Sequence, residues 1–494
     1  MSRNALLAVA LFAVSALAPH ALADDPAARR LLGEAQRLER SGDVDGALRE
    51  YRLLVDRFPA DPVAEEAQYS MAAALYGRGD SVPARQTADE LIASKPRSPW
   101  AAAAYVLEGR MLTEHPSGPD DLESARALLR RVPLLFGPES YPELAWRTQA
   151  RVLAGEIGLH LGQYPQAAGE FLGAIEDEPP SEWTARARLG LATVFLADGE
   201  WTAAAGELER TVEAGGVEAA VARQRLGAIH RLQVRPAAGQ AAWQKARLIP
   251  VPGTELRKPS GVAAENDGSV VVGDRSSDTV YRLAPDGSLA DRLELTEPGR
   301  PWAQEDGVYL PSGDTVTRLG DRSAQSFVAP RGKKLEPVKD LDAGVRGTLG
   351  QWYLLDHQSK RVLVFVPTGR YLATLAEGDP VDVAQDPRGR IYVLDRKRGD
   401  VTRFATDGSS EGVFVHHDGR RPEALEIDDL GDVYILDRDS GRISVYDPGG
   451  QLLATLGPQL PGGIELKNPV DLAVDGAGRV IVLDGKQSAP VVIE

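Results

Sequence analysis

Five stretches in the second half of the chain repeat one design, a short apolar run that ends on aspartate and passes into a polar turn. They read GSVVVGDRSSDTVYRLAPDGS (268–288), GQWYLLDHQSKRVLVFVPTGR (350–370), GRIYVLDRKRGDVTRFATDGS (389–409), GDVYILDRDSGRISVYDPGGQ (431–451) and the shortened GRVIVLDGKQSAPVVIE (478–494). The aspartates fall at Asp274, Asp356, Asp395, Asp437 and Asp484. The later spacings are about 40 residues and the first gap is about twice that, so the gap holds a sixth, degenerate unit at 307–327. Units of this size with regular turn signals read as small antiparallel sheets that must stack on one another to bury their faces. The chain ends after the third strand of the last unit. A fourth must come from elsewhere, and ARLIPV (246–251) is placed to supply it, since an open outer edge would leave ladder groups unpaired.

This pattern resembles the NHL repeat family, whose units are four-stranded blades. The resemblance implies a six-bladed β-propeller over 246–494, closed by the strand 246–251. Residues at the starts of the innermost strands face one another across the central channel of such a ring. Aligning those starts places Asp340, Asp382 and Asp471 at equivalent positions, with Gly261, Ala303 and Ala424 in the other three. An acidic cluster at one channel mouth is the arrangement that six-bladed propeller lactonases use to hold a divalent cation. Neither Asn nor His joins the three carboxylates, so a salt-bridged or solvated rim is the simpler expectation. The repeated Asp at the strand ends is expected to accept backbone N–H bonds in its turn.

From Asp24 to about Arg247 the texture is Ala- and Leu-rich at helical spacing, broken by Gly-Asp, Gly-Glu or Pro. The ladder Ala35, Leu38, Gly42, Ala47, Tyr51, Leu54, Pro59 recurs 37 residues on as Ala72, Leu75, Gly79, Ala84, Ala88, Leu91, Pro96. It returns as Gly155, Gly158, Gly162, Ala167, Phe171, Ala174, Pro179, and then as Ala192, Phe195, Gly199, Ala204, Leu208. Small residues let paired helices approach closely, Gly ends the first helix, and Pro stops the second. The ladder resembles the tetratricopeptide repeat family, which implies an all-α superhelix over 24–245 with about six helix pairs. The first helices of the pairs would form a groove for a partner segment, with Gln36, Tyr69, Tyr76, Arg110, Glu156 and His160 as groove-facing candidates.

Residues 1–23 carry Arg3, an apolar stretch and Ala21-Leu22-Ala23 before Asp24, the layout of a secretory signal peptide. Cleavage after Ala23 would give a soluble, periplasmic or secreted protein. With no cysteine the sequence offers no thiol for a lipid anchor, a disulfide or a thiolate metal site. The net charge is −16, and residues 251–494 carry 29 basic against 39 acidic side chains. That balance argues against a nucleic-acid binder, whose surface must be basic to displace counterions from phosphates. No HExxH, GxSxG, GxxxxGK[ST] or GxGxxG motif is present, so neither a cofactor nor a catalytic residue is expected.

These features point to an exported, non-enzymatic scaffold in cell-envelope assembly. Protein partners would bind the helical groove and a propeller face carrying Trp302 and Glu423. Two rivals remain. One is a cation-dependent propeller hydrolase or lactonase using Asp340, Asp382 and Asp471; the other is an envelope glycan binder with Trp302 as a stacking platform.

Overall fold

The computed structural model describes residues 25–114, 119–142, 144–177, 182–235, 240–304, 306–348 and 350–494. The proposed signal segment 1–23 and its cleavage site lie outside them. Among the described residues eleven helices precede twenty-six strands. The architecture is a tetratricopeptide-like helical superhelix followed by a six-bladed β-propeller. By compactness the chain divides into one unit of residues up to Ile157 with 170–179, and a second of 158–169 with 180–494.

The helices are α1 (Pro26–Arg40), α2 (Val44–Arg57), α3 (Pro62–Arg78), α4 (Ser81–Ser94), α5 (Pro99–Glu114), α6 (Pro119–Leu135), α7 (Ala145–His160), α8 (Tyr164–Asp177), α9 (Glu182–Ala197), α10 (Trp201–Ala214) and α11 (Glu218–Ile229). The ladder explains the pairing. Ala35, Ala47, Tyr51 and Leu54 are buried between α1 and α2, as are Ala72, Ala84, Ala88 and Leu91 between α3 and α4. Gly42, Gly79, Gly162 and Gly199 all have positive φ, between 68° and 97°, which lets each pair turn within a few residues. Gly155 is needed for another reason: a Cβ there would stand 2.6 Å from the Phe171 ring.

The first blade is β2 (Pro259–Ala264), β3 (Val270–Asp274), β4 (Thr279–Leu283) and β5 (Leu289–Glu294), after the short β1 (Ala246–Leu248). The second is β6 (Trp302–Gln304), β7 (Gly307–Ser312), β8 (Thr315–Arg318) and β9 (Ala324–Ser326). A hairpin, β10 (Val328–Arg331) and β11 (Lys334–Pro337), then interrupts the ring as its own two-stranded sheet. The third blade is β12 (Leu341–Arg346), β13 (Trp352–Asp356), β14 (Arg361–Phe365) and β15 (Tyr371–Glu377), and the fourth β16 (Pro380–Gln385), β17 (Ile391–Asp395), β18 (Asp400–Phe404) and β19 (Ser410–His416). The fifth is β20 (Pro422–Ile427), β21 (Val433–Asp437), β22 (Arg442–Tyr446) and β23 (Leu452–Leu456). The sixth takes β24 (Pro469–Val474), β25 (Val480–Asp484) and β26 (Val491–Ile493) from its own repeat and β1 as its fourth strand, antiparallel to β26 with Arg247 opposite Val492. Backbone bonds from Gln244 and Lys245 to the Glu494 carbonyl and from Ile249 to that of Pro490 extend this ladder at both ends.

Faces of adjacent blades bury Val, Ile, Leu, Tyr and Phe between them. The last helices share in this core. Leu196, Leu208, Ile229 and Trp243 belong to one buried cluster with Tyr434, Leu436, Val480 and Val482, and the Trp243 indole donates to the Gly478 carbonyl at 3.3 Å.

Candidate functional site

The repeated aspartates build the frame of the channel mouth. Asp274 accepts from the Lys258 N–H at 2.8 Å, Asp395 from Asp379 at 2.9 Å, Asp437 from Arg421 at 2.7 Å and Asp484 from Lys467 at 2.6 Å. A second bond from each carboxylate holds its own turn, as from Arg398 to Asp395 and Ser440 to Asp437, both 2.8 Å. Each of these four therefore ties the end of its blade's second strand to the start of its first, while Asp356 accepts only within its own turn, from Ser359 at 3.2 Å.

The innermost strands then bulge. Register shifts fall between Pro259 and Gly261, Leu341 and Ala343, Pro380 and Asp382, Pro422 and Ala424, and Pro469 and Asp471. A bulge re-aims side chains, here bringing Asp342 and Glu423 toward the axis as bulge residues, with Asp382 and Asp471 one position further along other blades. Asp340 does not join them. Its carbonyl accepts from the His357 N–H as that of Asp379 does from Arg396, so it sits three residues before the position of Asp382, which Ala343 fills. The aligned Val338-Lys339-Asp340 ends the β10–β11 insertion and only mimics a strand start.

The centre of the carboxylates is filled by the guanidinium of Arg300. Its Nη1 donates to the Glu423 carbonyl at 2.8 Å and to Asp382 Oδ2 at 3.2 Å, and Nη2 lies 3.4 Å from Asp342 Oδ2. Burial opposes its charge, but Asp382, Asp342, Asp471 and Glu423 more than offset this and hold the guanidinium above its ordinary pKa. Burial drives Asp471 well above the usual carboxylate range and Asp382 up to about 6, against the pull of Arg300. Asp342, with Arg275 beside it as well, ends below its ordinary value despite burial. Two of these groups also staple blades together: Asp382 Oδ2 accepts from the Leu425 N–H and Asp471 Oδ2 from the Val262 N–H, both at 2.8 Å.

Three more guanidiniums converge on Glu423, from Arg396 at 3.1 Å, Arg438 at 3.3 Å and Arg421 at 3.4 Å, while Arg275 reaches Asp342 at 2.6 Å. Arg275, Arg396 and Arg438 each follow a repeated Asp, so the Asp-Arg dipeptide was a readable signal for this ring. Arg300 was not, because it belongs to the degenerate blade. A divalent ion at this centre would have to displace Arg300, and among the described residues no group of three or more His, Asp or Glu is spaced to hold a metal. The carboxylate trio Asp340, Asp382 and Asp471 is therefore corrected to Asp342, Asp382 and Asp471 around an arginine.

Trp302 is no open platform. Its half-buried ring stacks on Tyr309 at 5.7 Å and packs against the core of the second and third blades, close over Gly344. On the helical unit, Tyr69 of α3 lies against Trp100 of α5 at 5.4 Å and Trp146 of α7 at 5.7 Å, half-buried, and burial pushes its hydroxyl up to about 12. Tyr76 packs beside it on the same cluster. Arg110 faces Tyr69, and Gln36 donates to Glu66 at 3.2 Å. These positions are half-buried, with Glu156 likewise, while His160 is exposed and falls in the second unit.

Residues 24–154 match the YfiO family model, described as an outer membrane lipoprotein. No curated protein matches the chain. Among solved structures, a streptogramin B lyase matches at 10% identity over 51% of this chain and 98% of its own, with a TM-score of 0.40. A gluconolactonase from Xanthomonas campestris matches at 17% identity over 50% and 88%, TM-score 0.40. A MamA double mutant matches at 20% identity over 39% and 96%, TM-score 0.30.

Proposed function

We propose that this chain is an exported, non-catalytic scaffold of the cell envelope that binds protein partners through the groove of its helical repeats and the mouth of its propeller. The observation that carries the reading is Arg300, whose buried guanidinium fills the axial position between Asp342 and Asp382 where a catalytic cation would otherwise sit. The match of residues 24–154 to an outer membrane lipoprotein family supports the envelope setting, and the half-buried Tyr69, Trp100 and Trp146 support a groove with aromatic contact area. In this reading the segment 1–23 directs export and is removed after Ala23.

Crosslinking in the native envelope followed by affinity capture tests the proposal. A discrete partner should be recovered, and Tyr69→Ala with Arg110→Ala should reduce its capture. The propeller-hydrolase alternative requires a stoichiometric divalent ion in the purified protein and a melting temperature that falls in chelator; either result would sink the scaffold reading.

A further inference from the structure

We propose that the aromatic site on α3, α5 and α7 binds a proline-rich partner segment in the polyproline II conformation, a deepening that rests on the scaffold reading above. The first helices of three successive pairs contribute one ring each: Tyr69 from the middle of α3, Trp100 and Trp146 from the first turns of α5 and α7. The Tyr69 ring lies 5.4 Å from that of Trp100 and 5.7 Å from that of Trp146, at interplanar angles of 31° and 61°. The indoles therefore stand at angles to the phenol instead of closing into one flat stack. Tyr76 and Met111 belong with Tyr69 and Trp100 to one cluster and are half-buried like them.

What sets the trio apart is its polar tips. A half-buried Tyr or Trp normally finds an acceptor for its O–H or N–H. The indoles of Trp243 and Trp352 do so, donating to the carbonyls of Gly478 and Pro367, each at 3.3 Å. Among the described residues the Trp100 Nε1, the Trp146 Nε1 and the Tyr69 hydroxyl have no hydrogen-bond partner, and none of the three is sealed from solvent. Burial pushes the Tyr69 hydroxyl up to about 12, so it keeps its proton and can donate. The site thus offers donors beside apolar ring faces. Arg110 and Glu39 act on Tyr69 with opposite sign, which favours a ligand of little charge.

The matching ligand presents carbonyl acceptors and has few N–H groups of its own to satisfy. Consecutive prolines have that chemistry: the ring packs on an aromatic face, the carbonyl is an open acceptor, and the nitrogen bears no hydrogen. A polyproline II strand also arrives already ordered, with its backbone solvated, so its binding sacrifices little chain entropy. A glycan would stack on the same rings but brings hydroxyl donors, for which the trio offers only one phenolic oxygen.

Fluorescence anisotropy of a labelled octaproline peptide with the purified full-length protein tests this. Saturable binding is expected, little changed by salt because no ion pair contributes, with a Gly-Ser peptide of the same length at least tenfold weaker. Trp100→Phe with Trp146→Phe keeps an aromatic ring in each place and removes both N–H donors. It should weaken binding about tenfold with the melting temperature unchanged, and Tyr69→Phe, which deletes one hydroxyl alone, about threefold. In nitrogen–proton NMR correlation spectra the indole cross-peaks of Trp100 and Trp146, identified by their loss in the Phe variants, should shift on titration with the peptide. Absence of octaproline binding, equal binding of the Gly-Ser peptide, full affinity in both variants, or saturable binding of chitohexaose in place of octaproline would each overturn the proposal. A partner still captured from the envelope, and still lost with Tyr69→Ala and Arg110→Ala, would in that case leave the scaffold reading standing without a proline-rich segment.

Discussion

Arg300 is charged and 8% exposed, a condition that holds only while the carboxylates around it stay in place. Replacing it with Met should cost about 3–5 kcal/mol in denaturant unfolding, because Asp382 would be left buried without its guanidinium and Asp342 with Arg275 alone. The deficit should shrink toward pH 5 as those carboxylates take up protons. A second residue-scale case lies at the opposite end of the fifth blade. In the fourth and sixth blades Asp386 pairs with Arg390 at 2.7 Å and Asp475 with Arg479 at 2.6 Å, four residues apart. The fifth has Asp428 with Asp432 in the arginine's place, fully buried and with neither carboxylate oxygen hydrogen-bonded. Burial raises Asp428 to about 7 and Asp432 well above its ordinary value. The folded state therefore holds protons that the unfolded chain releases above about pH 4, so stability is full below that pH and falls as pH rises through 7. Asp432→Asn should raise stability at pH 8 by about 2 kcal/mol and flatten the profile between pH 5 and 8, read from denaturation midpoints. Neither feature was legible beforehand. Arg300 stands in the one blade without the repeat signature, and the burial of Asp432 depends on what covers it.

At the scale of elements the sequence was more open. Glycine and alanine at fixed spacing specified the helix pairs because close approach tolerates nothing larger, and Gly155→Val should accordingly destabilise by about 1–3 kcal/mol by forcing the Phe171 ring aside. The strand-ending Asp located five of the six blades through a hydrogen-bonding need that recurs in every turn. What misled was the β10–β11 insertion. It places a valine, a lysine and an aspartate just ahead of β12, so the spacing of strand starts falls on Asp340 where the bulge presents Asp342. Trp302 likewise read as a surface aromatic, although its place in a short, degenerate strand turns the ring onto Tyr309.

For the whole molecule, periodicity announces two repeat architectures, while the cores decide which helices travel with which. Because Leu196, Leu208 and Trp243 share a buried cluster with the fifth and sixth blades, a fragment of residues 180–494 should stay monodisperse in size-exclusion chromatography. A fragment beginning at 246 should aggregate, since Tyr434 would lose the Trp243 ring packed edge-on against it at 6.5 Å. The pairing of β1 with β26 joins residues 247 positions apart, as the Arg247–Glu494 contact marks. Loop closure over that distance is slow, and synthesis delivers a chain from one end to the other. Five blades can assemble as they emerge while β1 waits, so until β26 pairs with it the propeller is an open crescent with an adhesive edge, and the arrival of β26 sets the moment at which it becomes safe from its neighbours.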